Sequence, residues 1–224
     1  MKPIANFSVL FICVLGAVLL GGGKGSQGHL QGLTPYHSSV IAWENGVFDR
    51  SLKKLHQQER LPEGGLERQI AQVLAHYKTG LKKDRLQRVP EWIMKESSKY
   101  GYDPLLLTAL IISESSFYNW AQSNKGALGL MQVRPATGKA MAMEIRMKWK
   151  GKSTLHDPEA NIALGAYYLN KMILRFGDLG LALEAYNHGP SQLSRYLRKG
   201  YRPKRYSHKV FQQYNRPQKI LRVL

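Results

Sequence analysis

The spacing of apolar residues along the chain predicts a helical protein. Apolar positions recur every three or four residues from Leu66 to Leu81, with Lys and Arg between them, which is typical of an amphipathic helix. A second helix is expected from Pro90 to Lys99, since proline is favoured in a first helical turn. A short β-hairpin is expected near residues 123–133. No longer strand alternation and no internal repeat is found, so the predicted fold class is all-α.

Two Asp-Pro pairs mark further helix starts, because an Asp side chain caps free backbone amides and Pro fits the first turn. The pair at Asp103 predicts a helix from Pro104 to about Ser115. The pair at Asp157 predicts a helix from Ala160 to Phe176. A last helix is expected from Leu179 to Tyr186, ending at the following Asn and Gly residues.

The N-terminal sequence is apolar in a way that the rest of the chain is not. Lys2 precedes an apolar run from Ile4 to Leu20. A run of about 17 residues fits either a secretory signal or an uncleaved membrane anchor, so residues 1–25 are predicted to be one of the two. Residues 26–87 are interpreted as a linker and helical annex, and residues 88–224 as the main domain with a basic C-terminal tail.

Composition limits the partners of this domain. The chain has 224 residues, of which 43% are hydrophobic and 21% charged, as in ordinary globular proteins. Its formal charge of +18 favours an anionic partner: nucleic acid, a membrane surface or an acidic wall polymer. Export across a membrane argues against nucleic acid. The single cysteine, Cys13, lies in the apolar run, so the domain has no disulfide and no thiol nucleophile.

Glu114 is the candidate catalytic residue, because it stands at the end of a helix that is otherwise apolar. Leu107, Leu110 and Ile111 precede it by seven, four and three residues and share its face. Burial and the negative end of the helix dipole both disfavour the carboxylate and should raise the pKa of Glu114. A carboxyl protonated near neutrality can act as a general acid. The alternative is a frayed helix end whose Glu turns to solvent.

Four sequence motifs occur in one order around this glutamate. They are ESSF at 114–117, SNKGALGLMQVRPAT at 123–137, DPEANIALGAYYL at 157–169 and LALEAYNHGP at 181–190. Together they resemble the lytic transglycosylase family, whose domain has a goose-lysozyme-like fold and cleaves the glycan strand of peptidoglycan. The resemblance covers roughly Arg88 to Val210.

The resemblance implies roles for individual residues. Glu114 matches the single catalytic acid and base, and the residues that match substrate-binding positions are Ser115, Ser123, Met131, Gln132, Tyr186 and Asn187. In the family the tyrosine of the AYN motif places its hydroxyl beside the catalytic carboxyl. On residue type alone, Met131 fits core packing better than ligand contact. The chain also keeps a tyrosine at Tyr206, but it lacks the Glu-Thr pair that commonly precedes it in the family.

The mechanism that the resemblance implies uses one carboxyl group. The MurNAc-GlcNAc β-1,4 bond is cleaved, the substrate's N-acetyl group supports the developing cation, and the muramyl C6 hydroxyl closes a 1,6-anhydro ring. Glu114 serves as acid and then as base, with no metal or cofactor. Asp157 is interpreted as a helix cap, and Asp178 and Glu184 as surface residues, so no second acid is assigned.

Three hypotheses follow for the function of the chain. The first is a lytic transglycosylase of the periplasm or cell envelope, with peptidoglycan as substrate. The second is a catalytically silent glycan-binding module, and the third, disfavoured by export, is a nucleic-acid-binding protein. A basic tail is expected to contact an anionic wall or membrane surface; it comprises Arg195, Arg198, Lys199, Arg202, Lys204, Arg205 and Lys209.

Overall fold

The computed structural model describes the backbone of residues 65–221 and the side chains of residues 65–215. In chain order the helices are α1 (Gly65–Leu74), α2 (Lys83–Tyr100), α3 (Pro104–Ser115), α4 (Pro135–Glu144), α5 (Lys152–His156), α6 (Pro158–Phe176), α7 (Leu179–His188), α8 (Pro190–Arg198) and α9 (Arg205–Leu221). No strand occurs in this part of the chain, so the all-α prediction is confirmed. The predicted signal or anchor, and residues 26–64 of the predicted linker and annex, lie outside the described residues.

Helix α3 lies at the centre of the domain. Its residues from Leu105 to Ser113 are all buried, and it packs against α1, α2 and α9. Helix α6 packs against α2 and α7, while α9 contacts both α3 and α7. The end of α3 is therefore surrounded by elements that are distant in sequence. None of the helices in residues 65–221 is long and apolar enough to cross a membrane.

The Asp-Pro signals predicted the starts of two helices correctly. The Asp103 side chain accepts a hydrogen bond from the Leu105 amide at 2.8 Å, and α3 spans the predicted range. Asp157 caps α6 in the same way, accepting from the Ala160 amide at 3.0 Å. These caps satisfy amides that have no partner within the helix, which is why such local signals predict helix starts well.

Two helices differ from the predicted ranges. Helix α1 ends at Leu74, where the amides of His76 and Tyr77 bond to carbonyls three residues back, although Leu81 still packs against the core. Helix α2 begins at Lys83, so Pro90 lies inside the helix and does not open it. Proline costs a helix interior about 3 kcal/mol. Pro90 and Ile93, one turn apart on the same face of α2, are both buried.

The predicted boundary between annex and main domain, at residues 87 and 88, lies within α2. Helix α1 packs against α2 and α3 and contributes Ile70, which is fully buried, to the core. Residues 65–87 are therefore part of the same helical body as the residues that follow.

The segment expected to form a hairpin is a compact loop between α3 and α4. It contains two isolated antiparallel bridges, Gln122 with Leu128 and Leu128 with Val133. Helices α4, α5, α8 and α9 were not predicted from the sequence. Helix α5 has only five residues, and α8 and α9 consist mostly of polar residues.

Candidate active site

Glu114 occupies the last turn of α3, where the chain reverses direction. The two residues that follow the helix, Ser116 and Phe117, have φ values of 49° and 60°, which end it. Phe117 is fully buried and its ring lies 5.5 Å from that of Tyr77. This anchors the turn and leaves the Glu114 side chain partly exposed at the end of the central helix.

The pKa of Glu114 is raised to about 7, mainly because burial disfavours the charged form. A hydrogen bond from Tyr206 and the positive charge of Lys209 lower it, but they do not cancel the effect of burial. The predicted direction of the pKa shift agrees with this value. Among the described residues, no second carboxylate contributes to the shift.

The hydroxyl that contacts Glu114 belongs to Tyr206, on α9, and it donates to Glu114 Oε1. The sequence prediction placed the Tyr186 hydroxyl beside the carboxyl and assigned no role to Tyr206. The Tyr186 hydroxyl donates instead to the carbonyl oxygen of Met131 at 2.8 Å. Tyr186 is nevertheless near the site: burial, and next the charge of Glu114, raise its pKa well above the ordinary value.

Met131 does not line the groove with its side chain. It is fully buried and packs against α6, where a Cβ on Gly165 would lie 2.5 Å from its sulfur. Its main chain is what serves the site, since its carbonyl accepts from Tyr186 and its amide donates to Asn161 at 2.7 Å. The core-packing interpretation of Met131 therefore describes its side chain.

The remaining polar residues of the loop hold the main chain in place. Ser115 Oγ donates to the carbonyl oxygen of Leu130 at 2.7 Å, which ties the loop to the end of α3. The side-chain amide nitrogen of Gln132 donates to the carbonyl oxygens of Ala121 and Gly129 at 3.1 and 2.9 Å. Ser123 Oγ accepts from the Ala127 amide at 3.0 Å. All three expected substrate-binding residues thus have structural partners within this loop or at its ends.

Asn161, on α6, holds the same loop through hydrogen bonds, and sequence reasoning assigned it no role. It is fully buried. Its amide nitrogen donates to the carbonyl oxygens of Leu128 and Leu155 at 3.0 and 2.8 Å, and its oxygen accepts from Met131. A buried polar side chain costs free energy unless it is fully hydrogen-bonded. The lone Asn within an apolar helix face was therefore the sequence signal that could have identified Asn161 as a structural residue.

Asn187 lies at the C-terminal turn of α7 and is exposed. It is therefore accessible to a ligand, unlike Tyr186 beside it in sequence. Arg134 is also exposed, at the start of α4, and its charge acts on Tyr168. The Tyr168 ring lies 5.2 Å from that of Tyr186, which links Arg134 to the surroundings of Glu114.

Glu184 is not a surface residue, contrary to the prediction. It is fully buried on α7, and its Oε1 accepts from the amide and the hydroxyl of Ser207 at 2.8 and 2.9 Å. Its other oxygen lies 3.4 Å from His188 Nε2. The carboxylate therefore fixes the first turn of α9, next to Tyr206. Asp157 is a helix cap, as predicted, and also pairs with Arg85.

The described residues contain no group of three or more His, Cys, Asp or Glu side chains that could hold a metal ion. The chemistry available at the end of α3 is that of one carboxyl group near its midpoint of titration at neutral pH, with a tyrosine hydroxyl bonded to it. Such a group can both donate and accept a proton.

Comparison with known proteins agrees with this geometry. The family model described as Transglycosylase SLT domain matches residues 91–209, more than half of the chain. A transglycosylase of Enterobacteria phage PRD1 is 37% identical over 102 residues, which are 46% of this chain and 35% of the phage protein. The chain thus spans about a third of the length of that relative.

Two solved structures share the fold. An inactive mutant of the lytic transglycosylase Slt from Pseudomonas aeruginosa is 27% identical, with a TM-score of 0.52. The 70 kDa soluble lytic transglycosylase of Escherichia coli is 22% identical, with a TM-score of 0.53. Each comparison covers 58% of this chain and 24% of the other protein. By its sequence match and its helical fold, the chain belongs to the transglycosylase SLT domain family.

Proposed function

We propose that the chain is a peptidoglycan lytic transglycosylase that cleaves the MurNAc-GlcNAc β-1,4 bond and leaves 1,6-anhydro-MurNAc ends. The observation that carries this proposal is the state of Glu114: its pKa is about 7, and no other carboxylate of the described residues acts on it. Glycoside hydrolases commonly use two carboxyl groups, one of which activates water or attacks the sugar. A site with one carboxyl group favours a reaction in which the substrate supplies the nucleophile.

The proposed reaction needs one proton to move out and one to return. Neutral Glu114 protonates the glycosidic oxygen as the bond to muramyl C1 breaks, and the N-acetyl oxygen of the same sugar supports the cation at C1. The Glu114 carboxylate then removes the proton of the C6 hydroxyl, whose oxygen bonds to C1. Glu114 ends protonated, and no water is consumed. Tyr206 and Tyr186 hold the carboxyl and the loop in place during both steps.

The silent-module hypothesis is disfavoured by the same residues. It requires Glu114 to be freely exposed or far from Tyr186, whereas Glu114 accepts a hydrogen bond from Tyr206 and its charge acts on Tyr186. Perturbed carboxyl groups of this kind cluster at functional sites.

Digestion of purified sacculi in water enriched with heavy oxygen tests the proposed reaction. We expect no heavy oxygen in the new muramyl ends, and products one water lighter than hydrolysis gives, because the ring hydroxyl is held close to C1 at a high effective concentration. Mass spectrometry of the muropeptides measures both. A lysozyme, as a hydrolytic control, should give labelled reducing ends. Labelled ends from this protein would contradict the single-carboxyl mechanism.

We also propose that the protein is exported to the periplasm or cell envelope and contacts an anionic surface there. The basic surface consists of six exposed cations: Arg195, Arg198, Lys199, Arg202, Lys204 and Arg205. Lys209, which was predicted to belong to it, is exposed as well, and its ammonium group also donates to the Ser113 carbonyl oxygen at the end of α3.

Binding to sacculi is expected to weaken with added salt, since exposed charges are screened beyond about 10 Å at ~0.1 M ionic strength. Co-sedimentation at rising salt concentration measures this, with the Glu114→Gln variant used so that the substrate stays intact. Binding that does not depend on salt would show that the basic surface is not the contact.

A further inference from the structure

Helix α9 makes two contacts with the end of α3 from one face. Tyr206 donates to the Glu114 carboxyl, and Lys209, three residues later and one turn along, donates from Nζ to the carbonyl oxygen of Ser113 at 2.5 Å. Ser113 directly precedes Glu114. The ammonium group of Lys209 is therefore held at the end of the helix that carries the candidate catalytic carboxyl.

Lys209 forms no ion pair with a carboxylate among the described residues. The described ion pairs involve other cations, and the bonding partner of Lys209 is a neutral carbonyl group. Its position at the C-terminal end of α3 is also favourable, because the helix dipole is negative there. A cation fixed in this way keeps a constant position relative to Glu114, on which its charge acts.

The groups that face Glu114 come from two helices. Tyr206 and Lys209 come from α9 and Tyr186 from α7, while Glu184, also on α7, acts on Tyr206. Of these groups only Lys209 carries a positive charge. It lowers the pKa of Glu114, opposing burial, which raises it.

We propose that Lys209 is a positioning residue whose ammonium group, fixed on the Ser113 carbonyl, stabilises the Glu114 carboxylate that forms when Glu114 gives up its proton. This inference rests on the proposed role of Glu114 as acid and base. A single carboxyl group must first be neutral and then charged, and burial alone makes the charged form unfavourable. A nearby cation that forms no ion pair keeps both forms within reach at neutral pH.

A purely structural role for Lys209 is the competing explanation. Its bond to Ser113 satisfies one of the carbonyl groups left free at the end of α3. Removing the side chain would then lower thermal stability without changing the titration of Glu114. Three variants separate the two roles. Lys209→Met keeps the length and loses the charge, Lys209→Arg keeps the charge, and Arg68→Gln removes an exposed cation of α1 as a control.

The direct test is the titration of the Glu114 side-chain carboxyl carbon by NMR, in the full chain labelled at glutamate and assigned with the Glu114→Gln variant. We expect the midpoint to rise by about half a pH unit or more in Lys209→Met, since loss of a neighbouring opposite charge disfavours the carboxylate. It should stay unchanged in Lys209→Arg and Arg68→Gln. An unchanged midpoint in Lys209→Met would overturn the inference, whatever happens to the melting temperature.

The pH dependence of kcat/KM on a soluble muropeptide chain gives the second measurement. If neutral Glu114 starts the reaction, kcat/KM falls as the pH rises through the pKa of Glu114. That falling limb should move to higher pH in Lys209→Met by the same amount as the NMR midpoint. A limb that does not follow the midpoint would overturn the link to catalysis. If Lys209→Met shifts the midpoint but the wild-type protein shows no lytic activity, the proposed function is contradicted. The electrostatic contact between Lys209 and Glu114 is then still supported.

Discussion

Replacing Glu114 by Gln is expected to lower glycan cleavage by about 10³-fold or more, because the amide keeps the shape of the side chain and cannot donate or accept the proton. The general acid and the general base are the same group in the proposed reaction, so one substitution removes both contributions. The measurement is release of soluble muropeptides from sacculi at neutral pH. Glu67→Gln, an exposed change on α1, is the matched control and should retain wild-type activity.

The fold should survive Glu114→Gln, and its dependence on pH supplies a second check. The pKa of Glu114 is raised from 4.5 to about 7 in the folded protein, so the folded state loses stability as the pH rises between these values, and the full cost is present at pH 8. A neutral amide removes this cost. The variant should therefore melt at the same or a higher temperature than wild type at pH 8, and their difference should shrink at pH 5. Cleavage within tenfold of wild type would reject Glu114 as the catalytic residue.

Substituting Gly129 by Ala is expected to destabilise the domain by about 3 kcal/mol or more. Gly129 has a φ of 78°, a conformation that costs other residues roughly 1–2 kcal/mol. A Cβ there would also lie 2.3 Å from the Leu155 carbonyl oxygen and 2.3 Å from the Asn161 amide nitrogen. Overpacking of a buried site adds roughly 1–3 kcal/mol. It would also displace Asn161, which holds the loop through Met131.

Gly126→Ala is the matched control, since Gly126 lies in the same loop with a φ of 75° and nothing lies within 4 Å of the position that a Cβ would occupy. Only the backbone cost applies, so about 1 kcal/mol is expected. In a protein of this size 1 kcal/mol corresponds to roughly 2–4 °C in Tm. Thermal unfolding followed by circular dichroism should show a drop of about 10 °C for Gly129→Ala and about 3 °C for Gly126→Ala. Equal drops would show that the close contacts relax without cost.

Near its melting temperature, Gly129→Ala should lose activity in proportion to the fraction of unfolded protein. At lower temperature, where the variant is folded, its activity should still be below that of wild type. The reason is that Ser115 binds the Leu130 carbonyl in the same loop, and Tyr186 binds that of Met131. A shift of this loop therefore moves the partners of the residues around Glu114.

The sequence by itself determined the features that depend on neighbours along one helix. The Asp103 cap defined the start of α3, and the apolar residues three, four and seven positions before Glu114 predicted its partial burial and the direction of its pKa shift. The order of four motifs was enough to indicate the family. Each of these signals is encoded within a few turns of the chain, where geometry is regular.

Only the tertiary structure decided which groups meet Glu114. Tyr206 is 92 residues away in sequence, and its contact exists because α9 packs on α3. The same packing buries Glu184 against the start of α9 and brings Lys209 to the end of α3. Helical periodicity shows which face of a helix is buried, but not which helix covers it. The assignment of Glu184 to the surface was wrong for this reason, and the contacts of Tyr206 and Lys209 with the end of α3 could not be predicted.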